Sequence, residues 1–296
     1  MKKRIFTGAG IAIITPMNED GSINFAEFGR TIDWQIENGT DAIIVCGTTG
    51  ECATMSEQEH LECIRFCKEH VAGRVPVVAG AGSNDTAFAI KMVKECEEIG
   101  VDGLLVVTPY YNKTSQRGLI AHYKAIAEAT SLPIIMYSVP SRTGVNIQPA
   151  TCKELSKIPN IVAIKEASGN IDQVTEIKAL CGDDLDIYSG EDGIITPILS
   201  VGGIGVISVL SHVCPRETHE ICQKYFDGDV KGSAALQLKY HKLVKALFSD
   251  VNPIPAKAAM NMMGWKAGHC RLPLVDMAPE AEEKLAQVMR EYGLID

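Results

Sequence analysis

Short, nearly continuous apolar runs alternate along the chain with longer segments whose apolar residues recur every three or four positions. The runs lie at residues 8–15, 42–47, 75–80, 103–108, 134–139, 161–167, 186–189 and 205–209. Unbroken apolarity is what parallel strands covered on both faces require, because a strand with one wet face alternates instead. The segments between them read as helices. Residues 25–37 have helical spacing and stop at Asn38-Gly39, and Ser56 with Glu59 makes a capping box for a helix running toward Gly73. Asn84-Asp85-Thr86 opens another helix, which ends near Gly100. Successive runs are roughly 30 residues apart, the length of a βα unit.

Beyond Asp229 no further strand pattern occurs. Residues 230–249 read as one amphipathic helix, Asn252-Pro253-Ile254-Pro255 as a rigid break, 256–264 as a second helix, and 279–292 as a third that starts on proline. The expected fold is α/β: a (β/α)8 TIM barrel over residues 1–228 and a C-terminal helical domain over 229–296. An open doubly wound sheet is the rival. It would show a G-x-G-x-x-G after the first strand, where this chain has Thr15-Pro16-Met17.

Composition narrows the partners. Of 296 residues, 46% are hydrophobic and 22% charged, the balance of a globular protein, and the net charge of −9 argues against nucleic acid or an anionic membrane. Lys2-Lys3-Arg4 before an apolar stretch imitates a signal peptide, but Gly8, Gly10 and Thr15-Pro16 break it and no small-x-small cleavage pattern follows. No stretch reaches the roughly 20 apolar residues that span a bilayer. The expected location is cytoplasmic. None of the ten cysteines forms a C-x-x-C, and no His-Cys cluster has zinc-like spacing, so they read as small buried hydrophobes in a reducing compartment.

Lys165 stands inside the apolar run 161–167. Either that run is an edge strand whose lysine faces water, or the ammonium is desolvated, sheds its proton and becomes a nucleophile toward carbonyls. Barrel chemistry gathers on the loops at the carboxyl ends of the strands. There, Gly47-Thr48-Thr49-Gly50-Glu51 reads as an anion-binding turn or an ordinary one. Tyr110-Tyr111 reads as a core cap or a subunit contact. Tyr137 lies within the fifth run, and Arg142 follows as a carboxylate clamp or a surface residue. Lys165, Ala163 and Ile161 are expected on one face. The glycines 202, 203 and 205 suit a phosphate cradle or close packing, and no lysine or arginine stands beside them.

These stretches resemble the pyruvate-dependent Schiff-base aldolase family, which includes the dihydrodipicolinate synthases and N-acetylneuraminate lyases. The resemblance covers essentially the whole chain. Gly47 to Glu51, the Tyr137 and Lys165 pair and Ser189-Gly190-Glu191-Asp192 are similar to signatures of the family. Thr48-Thr49, Tyr110-Tyr111, 139–144 and 252–255 resemble its synthase branch. The resemblance implies that Lys165 forms an imine with pyruvate, that Tyr137, Thr48 and Tyr111 make a hydroxyl relay, and that Tyr111 comes from a neighbouring subunit. It implies that Thr48 and Thr49 hold the pyruvate carboxylate, that Gly190 and Ile207 offer backbone groups, and that Arg142 binds aspartate semialdehyde. It implies no metal or organic cofactor, and a homo-oligomer, a tetramer built as a dimer of dimers.

Two departures stand out. Ser138 replaces a common asparagine and should point away from the site. His60, Asn84 and Tyr110 match an allosteric lysine cleft of the family, but Phe88 stands where regulated members carry a glutamate, and Cys52 and Glu57 also differ. The competing functions are another aldolase of the family, acting on sialic acid or a 2-keto-3-deoxy sugar acid, and a non-catalytic keto-acid binding protein. A polyol substrate would need hydrogen-bonding side chains where Arg142 offers a charge, and a binding protein would lack a relay hydroxyl.

Overall fold

Each apolar run becomes one strand of a closed parallel barrel. In the computed structural model, which describes residues 2–296, the strands are β1 (Gly8–Ala12), β2 (Ala42–Val45), β3 (Val77–Gly80), β4 (Gly103–Val107), β5 (Ile134–Ser138), β6 (Ile161–Glu166), β7 (Asp186–Ser189) and β8 (Gly205–Ser208). They pair in chain order, and β8 closes on β1. Helices α1 (Phe25–Glu37), α2 (Glu57–Val71), α3 (Thr86–Ile99) and α4 (Gln116–Ala127) cover the first half. The single turn α5 (Pro140–Thr143) and helices α6 (Pro149–Leu155), α7 (Ile171–Cys181), α8 (Ile195–Ser200) and α9 (Pro215–Phe226) cover the second. The first four helices open on side-chain caps from Asn24, Ser56, Asp85 and Ser115, each satisfying a backbone N–H that would otherwise be orphaned. The chain thus folds as the (β/α)8 barrel its pattern predicts.

Strand alternation builds two cores. Ile44, Val78, Leu105 and Ile135 fill the barrel, while Ile43, Val77, Leu104 and Ile134 face outward onto Phe28, Ile64, Met92 and Tyr123 of the helices. The stretch that imitates a signal peptide is the floor of the barrel. Phe6 stacks on Tyr188 with ring centroids 4.4 Å apart, and the Tyr188 hydroxyl donates to Phe6 O at 2.6 Å.

One expected face is wrong. Ala163 belongs to the barrel interior, as Lys165 requires, but Ile161 packs in the outer core. The register between β5 and β6 slips at Ile134/Ile135, where Ile161 and Ala163 oppose consecutive partners, so a bulge around Val162 reverses the alternation. The glycines before β8 serve packing. A Cβ on Gly205 would come 2.1 Å from Gly8 O, so the closing contact between β8 and β1 needs its absence.

The remaining helices are α10 (Val230–Leu247), α11 (Ile254–Met262) and α12 (Pro279–Glu291). Their apolar faces pack together through Leu243, Leu247, Leu285 and Met289 and against Leu210 and Val213 beyond β8. Ala256 and Met260 of α11 also rest on Ile14 and Val209, just past the carboxyl ends of β1 and β8. His212 stitches that rim. Its Nε2 accepts from Ile14 N at 3.0 Å and its Nδ1 donates to Val209 O at 2.8 Å, and burial pulls its pKa down to about 4, so it stays neutral. Among the described residues no helix is long and apolar enough to cross a membrane.

Candidate active site

At the carboxyl rim of the barrel a cavity of about 350 Å³ is lined by Thr48, Thr49, Tyr137, Arg142, Lys165, Gly190, Asp192 and Ile207, among others. Residues from five different strand ends therefore converge on one space. Lys165 and Tyr137 are register partners on adjacent strands, and the lysine Nζ lies 4.4 Å from the centre of the Tyr137 ring. Lys165 is 6% exposed, and among the described residues no carboxylate comes within ion-pairing distance of it. The edge-strand reading fails, because β6 is paired on both sides.

Burial is the chief cause that lowers the Lys165 pKa to about 8; the negative charge of Asp192 opposes it and the positive charge of Arg142 assists. At pH 7 roughly one lysine in ten is then the neutral amine, against about one in three thousand for an ordinary side chain. Burial also raises the Tyr137 phenol to about 12, opposed by Arg142 and by its hydrogen bond with the Thr48 side chain. Tyr137 therefore keeps its proton at neutral pH, as a relay donor must.

The threonine turn is built by strain in unexpected places. Its left-handed residues are Cys46 (φ 54°) and Glu51 (φ 57°), while neither Gly47 nor Gly50 has positive φ. Gly80 makes room for this turn, since a Cβ there would come 2.1 Å from Cys46 O. Thr49 is 2% exposed, and its Oγ1 accepts from Asn252 Nδ2 at 2.9 Å. Arg142 is exposed at the rim, and its Nη2 donates to Asn252 O at 3.2 Å. Gly190 N donates to Glu166 O at 2.7 Å, and a Cβ at 190 would meet that of Ala167 at 2.6 Å. Ser138 points away as expected: its hydroxyl donates to Asn146 Oδ1 at 3.1 Å and accepts from Ile147 N at 3.2 Å, outside the barrel.

Tyr111 is not brought to the cavity of its own chain. It is 91% exposed, in a left-handed backbone conformation (φ 68°). Tyr110 and His60 instead line a second cavity of about 500 Å³ with Phe88, Cys52 and Met92, which shares Thr48, Arg142 and Asn252 with the first. Asn84 lies outside that lining and donates from Nδ2 to Tyr110 O at 3.2 Å.

Three participants have contacts that local pattern does not report, although Asp192 and Asn252 lie in stretches that resemble the family. Asn252 ties Thr49 and Arg142 together across 203 and 110 residues of chain. Lys257 is a second buried lysine, with Nζ 2.8 Å from Glu51 Oε1 and 2.8 Å from His269 O. Asp192 is 2% exposed and bonded to the end of β8. A lysine among the apolar residues of 254–262 is the signal that could have found Lys257.

Residues 5–292 match the family described as the dihydrodipicolinate synthetase family. The chain belongs to that family. It is 58% identical over 290 residues to the 4-hydroxy-tetrahydrodipicolinate synthase of Caldicellulosiruptor saccharolyticus, covering 98% of both chains. Among solved structures it is similar to dihydrodipicolinate synthase from Thermotoga maritima, at 43% identity and a TM-score of 0.96 over 99% of this chain and 100% of that one. The chloride-inhibited synthase of Acinetobacter baumannii, complexed with pyruvate, matches at 38% identity and a TM-score of 0.96, over 99% and 100% of the two chains. The family is one of lyases.

Proposed function

We propose that this chain is a 4-hydroxy-tetrahydrodipicolinate synthase, condensing pyruvate with L-aspartate 4-semialdehyde in the first committed step of diaminopimelate and lysine formation. The observation that carries this reading is a buried lysine of lowered pKa sharing one cavity with a phenol, two threonines and an arginine. The neutral amine of Lys165 adds to the ketone of pyruvate, and uptake of one proton with loss of one water gives the cationic imine. That cation is an electron sink, so a methyl proton leaves and an enamine forms. Thr49 and Thr48 hold the carboxylate, and Tyr137 passes protons through Thr48. The enamine attacks the aldehyde, the amine of the second substrate closes the ring, and Lys165 is freed. Gly190 and Ile207 contribute backbone groups to the wall.

The name carried by the relative at 58% identity supports the synthase over a sugar-acid lyase, as does the arginine at the rim. Arg142 is assigned to the carboxylate of the semialdehyde. Arg142→Ala should raise KM for aspartate semialdehyde by about 50-fold, the loss of a charge-assisted contact, while KM for pyruvate stays within about threefold. Steady-state kinetics with each substrate varied in turn checks this, and N-acetylneuraminate as sole substrate should give no turnover.

The homo-oligomer is a tetramer made of two dimers in this reading, with Tyr111 completing the relay of the neighbouring subunit. Its near-total exposure supports that role. Residues 1–228 act as the catalytic barrel and 229–296 as a helical domain over its rim, and the enzyme works in the cytoplasm without metal or organic cofactor. The cleft of His60, Asn84 and Tyr110 is not expected to regulate it. Phe88 is apolar, and the two carboxylates of that cavity are engaged, Glu57 with Lys91 at 2.6 Å and Glu51 with Lys257 at 2.8 Å. An incoming ammonium would be desolvated without a partner. Lysine at about 1 mM should change the rate by less than about twofold in a coupled assay.

A further inference from the structure

We propose that Asp192 supplies the counter-charge for the cationic imine on Lys165, acting as a positioning residue that tunes the amine without touching substrate. The inference rests on the imine reading above. Asp192 follows β7, the strand beside β6, and lines the same cavity as Lys165. Its Oδ2 is fixed by Val209 N at 2.9 Å and Leu210 N at 3.0 Å, both past the end of β8. Its own main-chain carbonyl accepts from Gln237 Nε2 of α10 at 2.8 Å. The two backbone donors fix the carboxylate, and the bond from α10 fixes the main chain that carries it. Its Oδ1, however, is buried with no hydrogen-bond partner. A buried carboxylate oxygen left without a donor is costly unless a positive charge stands near.

The other charged or titratable groups around this space do not fill that part. Tyr137, from β5, keeps its proton because burial raises its pKa. Arg142, from α5, is positive and lowers the lysine's pKa. Glu191 is half-buried, and Lys245 of α10 faces it. Asp192 is the one whose charge acts on Lys165 in the opposite sense to burial. Burial pushes the Asp192 carboxyl up, while the Ser208 hydroxyl, the two backbone donors and Lys165 favour its charged form. Imine formation turns a neutral amine into a fixed cation in this dry space, so a nearby carboxylate favours the product over the free amine.

A purely structural Asp192, tying β7 to β8, would affect stability and leave the lysine's titration alone. Asp192→Asn separates the two, because an amide oxygen still accepts from Val209 and Leu210 while the charge is gone. The readout is cyanoborohydride capture of pyruvate, followed by intact-protein mass from about pH 6 to about pH 10. Expected are a midpoint about one pH unit below that of the unaltered enzyme and, near pH 10 where the resting amine is neutral, a roughly tenfold rise in the pyruvate concentration for half-maximal capture. A folded variant with both quantities unchanged overturns the proposal. Should Asp192→Asn fail to fold, Asp192→Ser removes the charge with a smaller side chain and should move the midpoint down likewise; no shift there overturns the proposal equally. Absence of capture by the unaltered enzyme would sink the imine reading itself and this inference with it.

Discussion

Lys165→Met should abolish turnover, with a loss of at least about 10⁴-fold, and yet yield a more stable protein at neutral pH. The two effects share one cause. Lys165 titrates near 8 in the fold and at 10.5 when unfolded, so folding at pH 7 expels a proton or buries a charge, a penalty of about 3 kcal/mol. The sign follows from proton binding. Between the two pKa values the unfolded chain holds more protons than the native one, so stability rises with pH across that interval. The penalty is fully present below about 8 and vanishes above about 10.5. Methionine has similar length and no charge, so the variant should gain about 1–3 kcal/mol at pH 7, and the gain should shrink toward zero near pH 10. Urea unfolding at both pH values measures this. A variant less stable than the parent at pH 7 would mean that the amine is paired and charged in the fold.

The second large effect belongs to the other buried lysine. Lys257→Ala strands the Glu51 carboxylate, whose side chain is 1% exposed, beside the backbone N–H of Arg271 alone. Breaking a buried pair from one side costs about 3–5 kcal/mol. Because Glu51 ends the turn that carries Thr48 and Thr49, pyruvate binding should weaken as well. Combining Lys257→Met with Glu51→Gln removes both charges and keeps an acceptor for Arg271, so most of the lost stability should return. Chemical unfolding of the parent, single and double variants tests this through their coupling energy. If the double variant loses the sum of two independent single losses, the pair is not what holds the turn.

The contrast between these lysines shows what the chain discloses about itself. A lysine in an apolar run is visible in both cases. What distinguishes nucleophile from structural cation is a carboxylate 206 residues away in sequence, which no local pattern reports. The eight strands were legible because burial on both faces leaves long apolar runs. The helix starts were legible because Ser56 and Asp85 cap their own chains. The bulge in β6 was not, since it arises from register against β5 and so put Ile161 on the wrong face. The threonine turn was recognised by its residue types, but its strain falls on Cys46 and Glu51, where the fold overrules local preference. Asn252 was visible as a break between helices and as part of a stretch resembling the family, but not as a partner of the rim. Its bonds to Thr49 and Arg142 exist because α11 docks on the rim.

The central claim is that Lys165, and no other lysine, forms an imine with pyruvate. Borohydride reduction in the presence of pyruvate, followed by proteolysis and mass mapping, tests it most directly. The account predicts one adduct, on the peptide containing Lys165, and none on the peptide containing Lys257. An adduct on a different lysine, or an active enzyme that yields none, would contradict it.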